Sequence, residues 1–318
     1  MAGLPHATGP GTTGIVLDAL GIPVSGLLVE PSSAPPRAVV LALHGAGMRA
    51  GYFDRHAEPG HSLMGLGAGL GFTVLAVDRP GYGDSAAFLP EGAATARQAV
   101  LLRAALRSFA RQHATGDGFF VVAHSTGGKA ALALAAQDRD DAVIGLDVSG
   151  LGSTPAPRQR QLRDRGRVDW HRHWGAPGLY PPETFRLVRP LLAPTPSKET
   201  DEFPDWPELY TRLASRVRVP VRFTFAEQEP WWDSDAAAVA ALRAPLTSAR
   251  VEVHHQPDAG HNISLGRAAR SYHLRALAFL TECLALRGDA SAPRPGHPGP
   301  AAADRRGGPH VHGPGASS

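Results

Sequence analysis

A single serine lies where a predicted strand turns directly into a predicted helix. Residues 119–122 form a β-branched and aromatic run typical of a buried strand, and an alanine-rich helical pattern follows Ser125 at once. Such a turn strains the backbone of the serine and lifts its hydroxyl out of the fold; its usual sequence is G-x-S-x-G. Ala123 and Gly127 occupy the two small positions here. The spacing predicts a nucleophilic serine, and the alternative is a serine that only caps a helix.

A serine hydroxyl is a poor nucleophile at neutral pH unless a base removes its proton and an acid orients that base. In open parallel sheets, reactive groups collect at the carboxyl ends of the strands. His261 follows the last predicted strand, between Gly260 and Asn262, on a segment that can bring its imidazole toward Ser125. Because it also follows the serine and the candidate acids in the chain, we expect His261 to be the base.

Several carboxylates could orient this histidine. Glu229 follows the predicted strand at 219–225, and the alternation along that strand and the turn at Pro230 favour it. Glu227 and Asp233 lie in the same region, and Asp147 ends the strand after the serine helix. We expect Glu229 to be the acid, with these three as alternatives.

Acyl transfer also needs N–H donors aimed at the oxyanion that forms during attack. The Thr126 N–H stands at the start of the predicted serine helix, and the turn His44-Gly45-Ala46-Gly47 follows an early buried strand. We expect Thr126 and Ala46 to be the donors, with Gly47 as the alternative to Ala46. The alternative is that the glycine-rich turn binds phosphate, but we do not expect a nucleotide site, because no Walker lysine-threonine or G-x-G-x-x-G pattern accompanies the glycines.

The predicted strands alternate with helices, which indicates an α/β fold with a mostly parallel sheet covered on both faces. They cover about residues 15–20, 22–29, 37–43, 72–77, 119–122, 143–148, 219–225 and 250–255.

The composition divides the chain into four parts. A flexible start is expected over 1–14, and the α/β core over 15–150 and 219–287. Prolines, arginines and most tryptophans crowd into 151–218, which we interpret as a helical cap insertion over the end of the sheet. The last part, 288–318, has almost no bulky apolar residue and is expected to be disordered.

Composition also excludes several classes of function. The formal net charge is only +3 despite 32 basic residues, and no basic stripe with interleaved aromatics indicates nucleic-acid binding. Cys283 is the only cysteine, so neither an intramolecular disulfide nor a cysteine-based zinc site can form. We find no signal-peptide pattern and no apolar run of the ~20 residues that span a bilayer. A cytoplasmic protein without a membrane association is therefore expected.

These motifs, in this order, resemble the α/β-hydrolase family over about residues 15–286. The resemblance rests on His44-Gly45, on Asp78-Arg-Pro-Gly-Tyr-Gly-Asp-Ser85, on the Ser125 turn, on an acid after a later strand and on Gly260-His261. It implies eight mainly parallel strands with a cap inserted after the sixth, and an acyl-serine intermediate cleared by water without a cofactor. Ala123 in place of the first glycine, and Glu rather than Asp as the acid, depart from the commoner pattern.

The nucleophile narrows the chemistry that the resemblance implies. Epoxide hydrolases and haloalkane dehalogenases of this fold use aspartate at the position of Ser125, so carboxylic esters, thioesters, lactones and amides remain as substrate classes. One alternative is a thioesterase of a secondary-metabolite pathway with an acyl carrier protein as its partner. Another is a binding protein, or a lyase, cyclase or isomerase, on the same fold.

Aromatic and other large side chains near the expected site are candidates for substrate contact, and they favour a bulky apolar acyl group. The substrate-binding candidates are Met48, His124, Trp174 and Trp231. Other aromatic or histidine side chains of the same regions are Tyr52, Phe53, Trp170, His171, His173, Tyr180, Trp206 and Trp232. No metal site is predicted.

Overall fold

The computed structural model describes residue 9 and residues 11–32, 35–54, 56–156 and 174–291. Of these, residues 289–291 are described for their backbone only. Trp170, His171, His173 and the predicted disordered tail beyond 291 lie outside the described residues.

Eight strands of the described chain form one sheet in the order β1-β2-β4-β3-β5-β6-β7-β8. β1 and β2 form an antiparallel hairpin, β2 is antiparallel to β4, and all other neighbours are parallel. The strands are β1 (Thr13–Ala19), β2 (Ile22–Val29), β3 (Val39–Leu43), β4 (Thr73–Val77), β5 (Phe119–His124), β6 (Val143–Ser149), β7 (Val221–Gln228) and β8 (Val251–Gly260).

The central strands are buried on both faces, which is why their sequences are continuous apolar runs. Every residue of β3, β4 and β5 is buried. Side chains alternate between two apolar layers: Val121 and Ala123 pack into one layer, and Phe120 and Val122 pack into the other. The mostly parallel sheet with helices on both faces agrees with the fold predicted from the sequence.

Helices connect the parallel strands and cover the sheet. They are α1 (Leu63–Gly69), α2 (Thr95–Ala110), α3 (Thr126–Ala136), α4 (Thr184–Val188), α5 (Ser197–Asp201), α6 (Trp206–Ala214), α7 (Ala236–Arg243) and α8 (Ala269–Ser291). α8 extends past 288, where the sequence predicts the start of a disordered tail. Of the helices in the described ranges, none combines the length and the apolar character needed to cross a bilayer.

The chain between β6 and β7, called the insertion below (residues 151–218), carries α4, α5 and α6 among its described residues. Trp206 of α6 is fully buried, and its Nε1–H donates a hydrogen bond to the Gly152 carbonyl (2.8 Å). Trp206 and Tyr210 also pack in the apolar layer that contains Val121 and Ala123, so buried aromatic contacts join the insertion to the core.

Two glycines let β5 turn into α3 directly below the end of β3. A Cβ built on Gly127 would lie 2.6 Å from the His44 carbonyl oxygen and closer still to that of Leu43. A Cβ on Gly128 would lie 2.5 Å from Val148 Cγ1. Both distances are too short for any side chain, so the helix can approach the sheet this closely only with glycine here.

Replacing Gly127 by alanine tests this close approach. We expect Gly127→Ala to lower the free energy of unfolding by roughly 1–3 kcal/mol, because the added methyl group meets backbone that cannot move aside. Gly65→Ala is the matched control, since Gly65 is exposed in α1 and a Cβ there has no neighbour closer than 4.0 Å. Gly65→Ala should raise the free energy of unfolding by about 0.5–1 kcal/mol. Urea denaturation followed by circular dichroism measures both; equal stability of the two variants would contradict the packing argument.

A buried lysine lies between α3 and the insertion. Lys129 is 3% exposed, and its ammonium nitrogen lies 4.9 Å from the ring centre of Trp206 and 5.1 Å from that of Phe203. Its Nζ has no hydrogen-bond partner among the described residues. Burial lowers the pKa of Lys129 to about 8, although the carboxylates of Glu199 and Glu202 oppose this shift.

This pKa predicts how stability depends on pH. Between about pH 8 and the unfolded-state pKa near 10.4, the unfolded chain binds a proton that folded Lys129 has released, so the free energy of unfolding should rise with pH. Lys129→Met should abolish that rise and stabilise the protein at pH 7 by about 1–3 kcal/mol. Lys198→Met is the control, because Lys198 is the only other lysine and its side chain is half exposed. Denaturant titrations at pH 7 and pH 9.5 give the free energy of unfolding of each protein at the two pH values. If this free energy rises with pH in Lys129→Met as much as in the wild type, the assignment is contradicted.

Candidate active site

The candidate residues come together because each follows the carboxyl end of a parallel strand. His44 follows β3, Ser125 follows β5, Glu229 follows β7 and His261 follows β8. In the sheet, β5 lies between β3 and β6, and β7 and β8 follow β6. The carboxyl ends of these parallel strands therefore lie next to one another at one end of the sheet. β8 extends to Gly260, well past the predicted end at 255, so His261 is the first residue after the strand.

The backbone of Ser125 is in the strained conformation that the sequence predicts. Its φ is +51°, which is in the left-handed region that residues other than glycine rarely adopt. Its side chain makes no capping hydrogen bond to α3, so the simple cap alternative does not describe this serine. The Ser125 N–H donates to the Ser149 carbonyl (2.8 Å), which anchors the turn to the end of β6.

His261 is paired with Glu229. The imidazole Nδ1 lies 3.0 Å from Glu229 Oε1 and 2.9 Å from Oε2, and both side chains are almost completely buried. The Trp231 N–H donates to Glu229 Oε1 (3.0 Å), so the carboxylate is held from a second side. With Nδ1–H donating to the carboxylate, Nε2 is the ring nitrogen that can accept a proton.

The other candidate acids have different partners. Glu227 is exposed and accepts a hydrogen bond from the Asp258 N–H (2.7 Å). Asp147 is fully buried inside β6, where it forms an ion pair with Arg222 and accepts from the Tyr272 hydroxyl (2.9 Å). Burial raises the pKa of Asp147. Of the candidates, only Glu229 contacts His261 among the described residues.

The ring of His261 lies beside Gly150, which directly follows the end of β6. A Cβ on Gly150 would lie 2.9 Å from His261 Cε1, so this glycine makes room for the imidazole. Gly150 directly follows Ser149, whose carbonyl holds the Ser125 amide. Among the described residues, the hydrogen bonds of the His261 ring go to Glu229, and none joins it to the Ser125 hydroxyl. Gly150 was not predicted from the sequence, where only its position at a strand end could indicate it.

His124 lies beneath the site rather than on an open surface. Its ring stacks on Tyr52 with ring centres 5.0 Å apart, and its centre is 4.7 Å from that of His261. Nδ1 is 3.2 Å from the Ser149 hydroxyl. Burial, and then the proximity of His261, place the pKa of His124 well below its usual value, so this imidazole is neutral. The neutral His124 ring packs against the ring of His261.

The loop after β3 reaches the nucleophile directly. A Cβ on Gly45 would lie 3.2 Å from Ser125 Cβ, which is tighter than an ordinary contact, so glycine favours this close approach. The Gly47 N–H, the alternative to Ala46 as an oxyanion donor, already donates a hydrogen bond to the Tyr82 hydroxyl (3.2 Å). No partner for the Ala46 N–H is present among the described residues, and the Thr126 N–H stands at the first helical position, where no intrahelical acceptor exists. These two amides are therefore available at the serine.

The substrate-binding candidates differ in exposure. Met48 and Trp174 are 6% and 4% exposed, and Trp174 packs against Tyr180 and Phe185. Trp231 is partly exposed, and its ring centre lies 6.2 Å from that of His261. Contact of these residues with a substrate stays a prediction. No group of three or more His, Cys, Asp or Glu side chains in the described chain is arranged to hold a metal ion.

Comparison with known proteins identifies the fold family. The model of the alpha/beta hydrolase family matches residues 39–278, whereas none of the curated proteins matches the chain. Among solved structures, a carboxyl esterase from Bacillus coagulans is 16% identical with a TM-score of 0.62, covering 86% of this chain and 99% of that one. A monoacylglycerol lipase from Paleococcus ferrophilus is 16% identical with a TM-score of 0.59, covering 82% and 99%. The thioesterase domain from the curacin biosynthetic pathway is 15% identical with a TM-score of 0.59, covering 84% and 99%.

At such identities the structural likeness establishes the fold alone. The family match spans well over half of the chain, and it includes both the serine turn and the residues after β7 and β8. From that match, this chain belongs to the alpha/beta hydrolase family.

Proposed function

We propose that this protein is a serine hydrolase that cleaves a carboxylic ester through an acyl-serine intermediate. The observation that carries the proposal is the buried His261–Glu229 pair at the same sheet edge as a serine with positive φ. A nucleophile, a base and an orienting acid, each on a separate strand end, are the parts that this chemistry requires.

In the proposed acylation step, Ser125 Oγ attacks the carbonyl carbon while His261 Nε2 takes the hydroxyl proton. Glu229 stabilises the imidazolium and keeps the ring in the tautomer that carries a proton on Nδ1. The negative oxygen of the tetrahedral intermediate receives hydrogen bonds from the Ala46 and Thr126 amides. The intermediate then expels the alcohol, which takes its proton from His261.

In the deacylation step, His261 removes a proton from water, and the resulting hydroxide attacks the acyl carbon. The same two amides stabilise the second tetrahedral intermediate. Its collapse returns the proton from His261 to Ser125 and releases the carboxylic acid. Trp231, beside the His261 ring, is the aromatic side chain that we expect next to the bound ester.

A fluorophosphonate probe tests the nucleophile. We expect stoichiometric phosphonylation of Ser125, because the reaction requires an activated serine and oxyanion donors. Ser125→Ala should lose labelling and reduce the hydrolysis of p-nitrophenyl butyrate by at least about 10³-fold. Mass spectrometry of the labelled peptide and a colorimetric assay measure the two effects. A chain that resists labelling and does not hydrolyse esters would instead support a binding protein or a non-hydrolytic enzyme on this fold.

Two glutamates of one segment give a matched test of the acid. Glu229→Gln should lower kcat/KM for p-nitrophenyl butyrate by roughly 10²–10⁴-fold, because an amide can no longer stabilise the imidazolium. Glu227→Gln should stay within about threefold of the wild-type kcat/KM, since in the described part of the chain its carboxylate bonds only to the Asp258 amide, a contact that an amide oxygen can keep. Steady-state kinetics of both variants decide this. Equal losses in the two would contradict the assignment of Glu229.

Thioesters and lactones fit the same chemistry, because both pass through a tetrahedral intermediate at an acyl carbon. The ratio of kcat/KM for p-nitrophenyl butyrate to that for a butyryl thioester identifies the preferred leaving group. A preference for the thioester would move the proposal to a thioesterase while leaving the roles of Ser125, His261 and Glu229 unchanged.

A further inference from the structure

Both backbone hydrogen-bonding groups of Gly47, next to the proposed oxyanion donor, are held in place. Its N–H donates to the Tyr82 hydroxyl (3.2 Å), and its carbonyl accepts from the Ala193 N–H (2.9 Å). Tyr82 follows β4, whereas Ala193 belongs to the insertion. The loop is therefore clamped by two different parts of the chain.

The hydroxyl of Tyr82 has one proton, and the structure determines where that proton goes. It is donated to Glu199 Oε2 at 2.8 Å, so a lone pair of the same oxygen faces the Gly47 N–H. Tyr82 is 1% exposed, and the edge of its ring packs against His44 with ring centres 4.7 Å apart. A carboxylate cannot donate a hydrogen bond, so Glu199 fixes the direction of the Tyr82 hydroxyl.

Glu199 is itself held firmly. Both of its oxygens accept hydrogen bonds from the guanidinium of Arg79, which is completely buried. The Gln98 side chain donates to Glu199 Oε1 as well (3.1 Å). Because Glu199 lies in α5, these contacts join the insertion to the loop after β4.

Arg79 also fixes the beginning of the loop of residues 44–47, which is called the oxyanion loop below. Its Nε donates to the His44 carbonyl (2.6 Å), and its backbone N–H donates to His44 Nε2 (3.0 Å). Burial, and then the charge of Arg79, hold the pKa of His44 well below its usual value. The neutral ring therefore carries its proton on Nδ1, which donates to the Gly45 carbonyl (2.8 Å).

The bond to the Gly45 carbonyl orients the next amide. In a planar trans peptide, the carbonyl and the following N–H point in opposite directions. With the Gly45 carbonyl turned toward the His44 ring, the Ala46 N–H is turned away from it. The Gly47 N–H belongs to the following peptide, Ala46–Gly47, so its bond to Tyr82 holds the chain on the other side of Ala46.

We propose that Tyr82 is a positioning residue for the oxyanion loop and that Glu199, through the Tyr82 hydroxyl, makes the donor geometry depend on the docked insertion. This inference rests on the proposed function, since it assigns a task to the Ala46 amide. Tyr82 acts through Gly47 and does not contact the substrate.

Tyr82→Phe removes only the hydroxyl and leaves the Arg79–Glu199 ion pair intact. We expect kcat for p-nitrophenyl butyrate to fall about 10–100-fold with KM changed less than threefold, because a misplaced donor weakens transition-state binding alone. The inhibition constant of a trifluoromethyl ketone, which forms an oxyanion on Ser125, should rise by a similar factor. Tyr210→Phe is the matched control, because its buried hydroxyl donates to the Leu242 carbonyl away from the site. Tyr210→Phe should keep wild-type kinetics.

The outcomes separate this inference from the proposed function. Wild-type kcat and inhibitor affinity in Tyr82→Phe would overturn it, as would equal kinetic losses in Tyr82→Phe and Tyr210→Phe. Failure of the wild type to react with a fluorophosphonate would instead overturn the proposed function. Thermal unfolding of each variant excludes a loss of folded protein as the cause. If Tyr82→Phe is poorly folded, both substitutions are compared in a Gly65→Ala background, which stabilises α1.

Discussion

The positive φ of Ser125 is the constraint on which the rest of the site depends. A left-handed conformation at a residue other than glycine costs about 1–3 kcal/mol, so the surrounding structure must enforce it. The Ser125 N–H is tied to Ser149, and Gly127 presses against the carbonyls at the end of β3. The same contacts bring the loop that begins at His44 beside the serine. The strained turn and the proposed oxyanion donors therefore have a single structural origin.

Among the residues that the structure describes, His261 has a single carboxylate partner, Glu229. Two buried imidazoles of the site, His44 and His124, are kept neutral by burial, and each serves as a hydrogen-bonding and packing element. Asp147, the other buried carboxylate near the sheet centre, is neutralised by Arg222. In the proposed mechanism, the amides in the first turn of α3, with their partial positive charge, face the negative oxygen of the tetrahedral intermediate.

Much of this arrangement could be predicted from the sequence, because it is encoded locally. Continuous apolar runs indicate strands buried on both faces, and reactive residues that follow such runs meet at one sheet edge. The end of β8 could not be predicted, since the strand continues through a register irregularity opposite β7 to reach Gly260. The partners of Glu227 and Glu229 depend on that irregularity. Glu199 carries no local signal: it lies in a polar helix and pairs with an arginine 120 positions away.

The Arg79–Glu199 pair explains why a polar network lies under the oxyanion loop where apolar side chains could pack. Buried ion pairs contribute little net stability compared with apolar residues of similar volume, but removing one partner is strongly destabilising. Their directional hydrogen bonds, unlike apolar packing, fix orientation. Here that orientation passes from Glu199 to the Tyr82 hydroxyl and from there to Gly47. An insertion docked by apolar contacts alone could slide without changing its energy much, whereas this one is held in a single register with the loop beside Ser125.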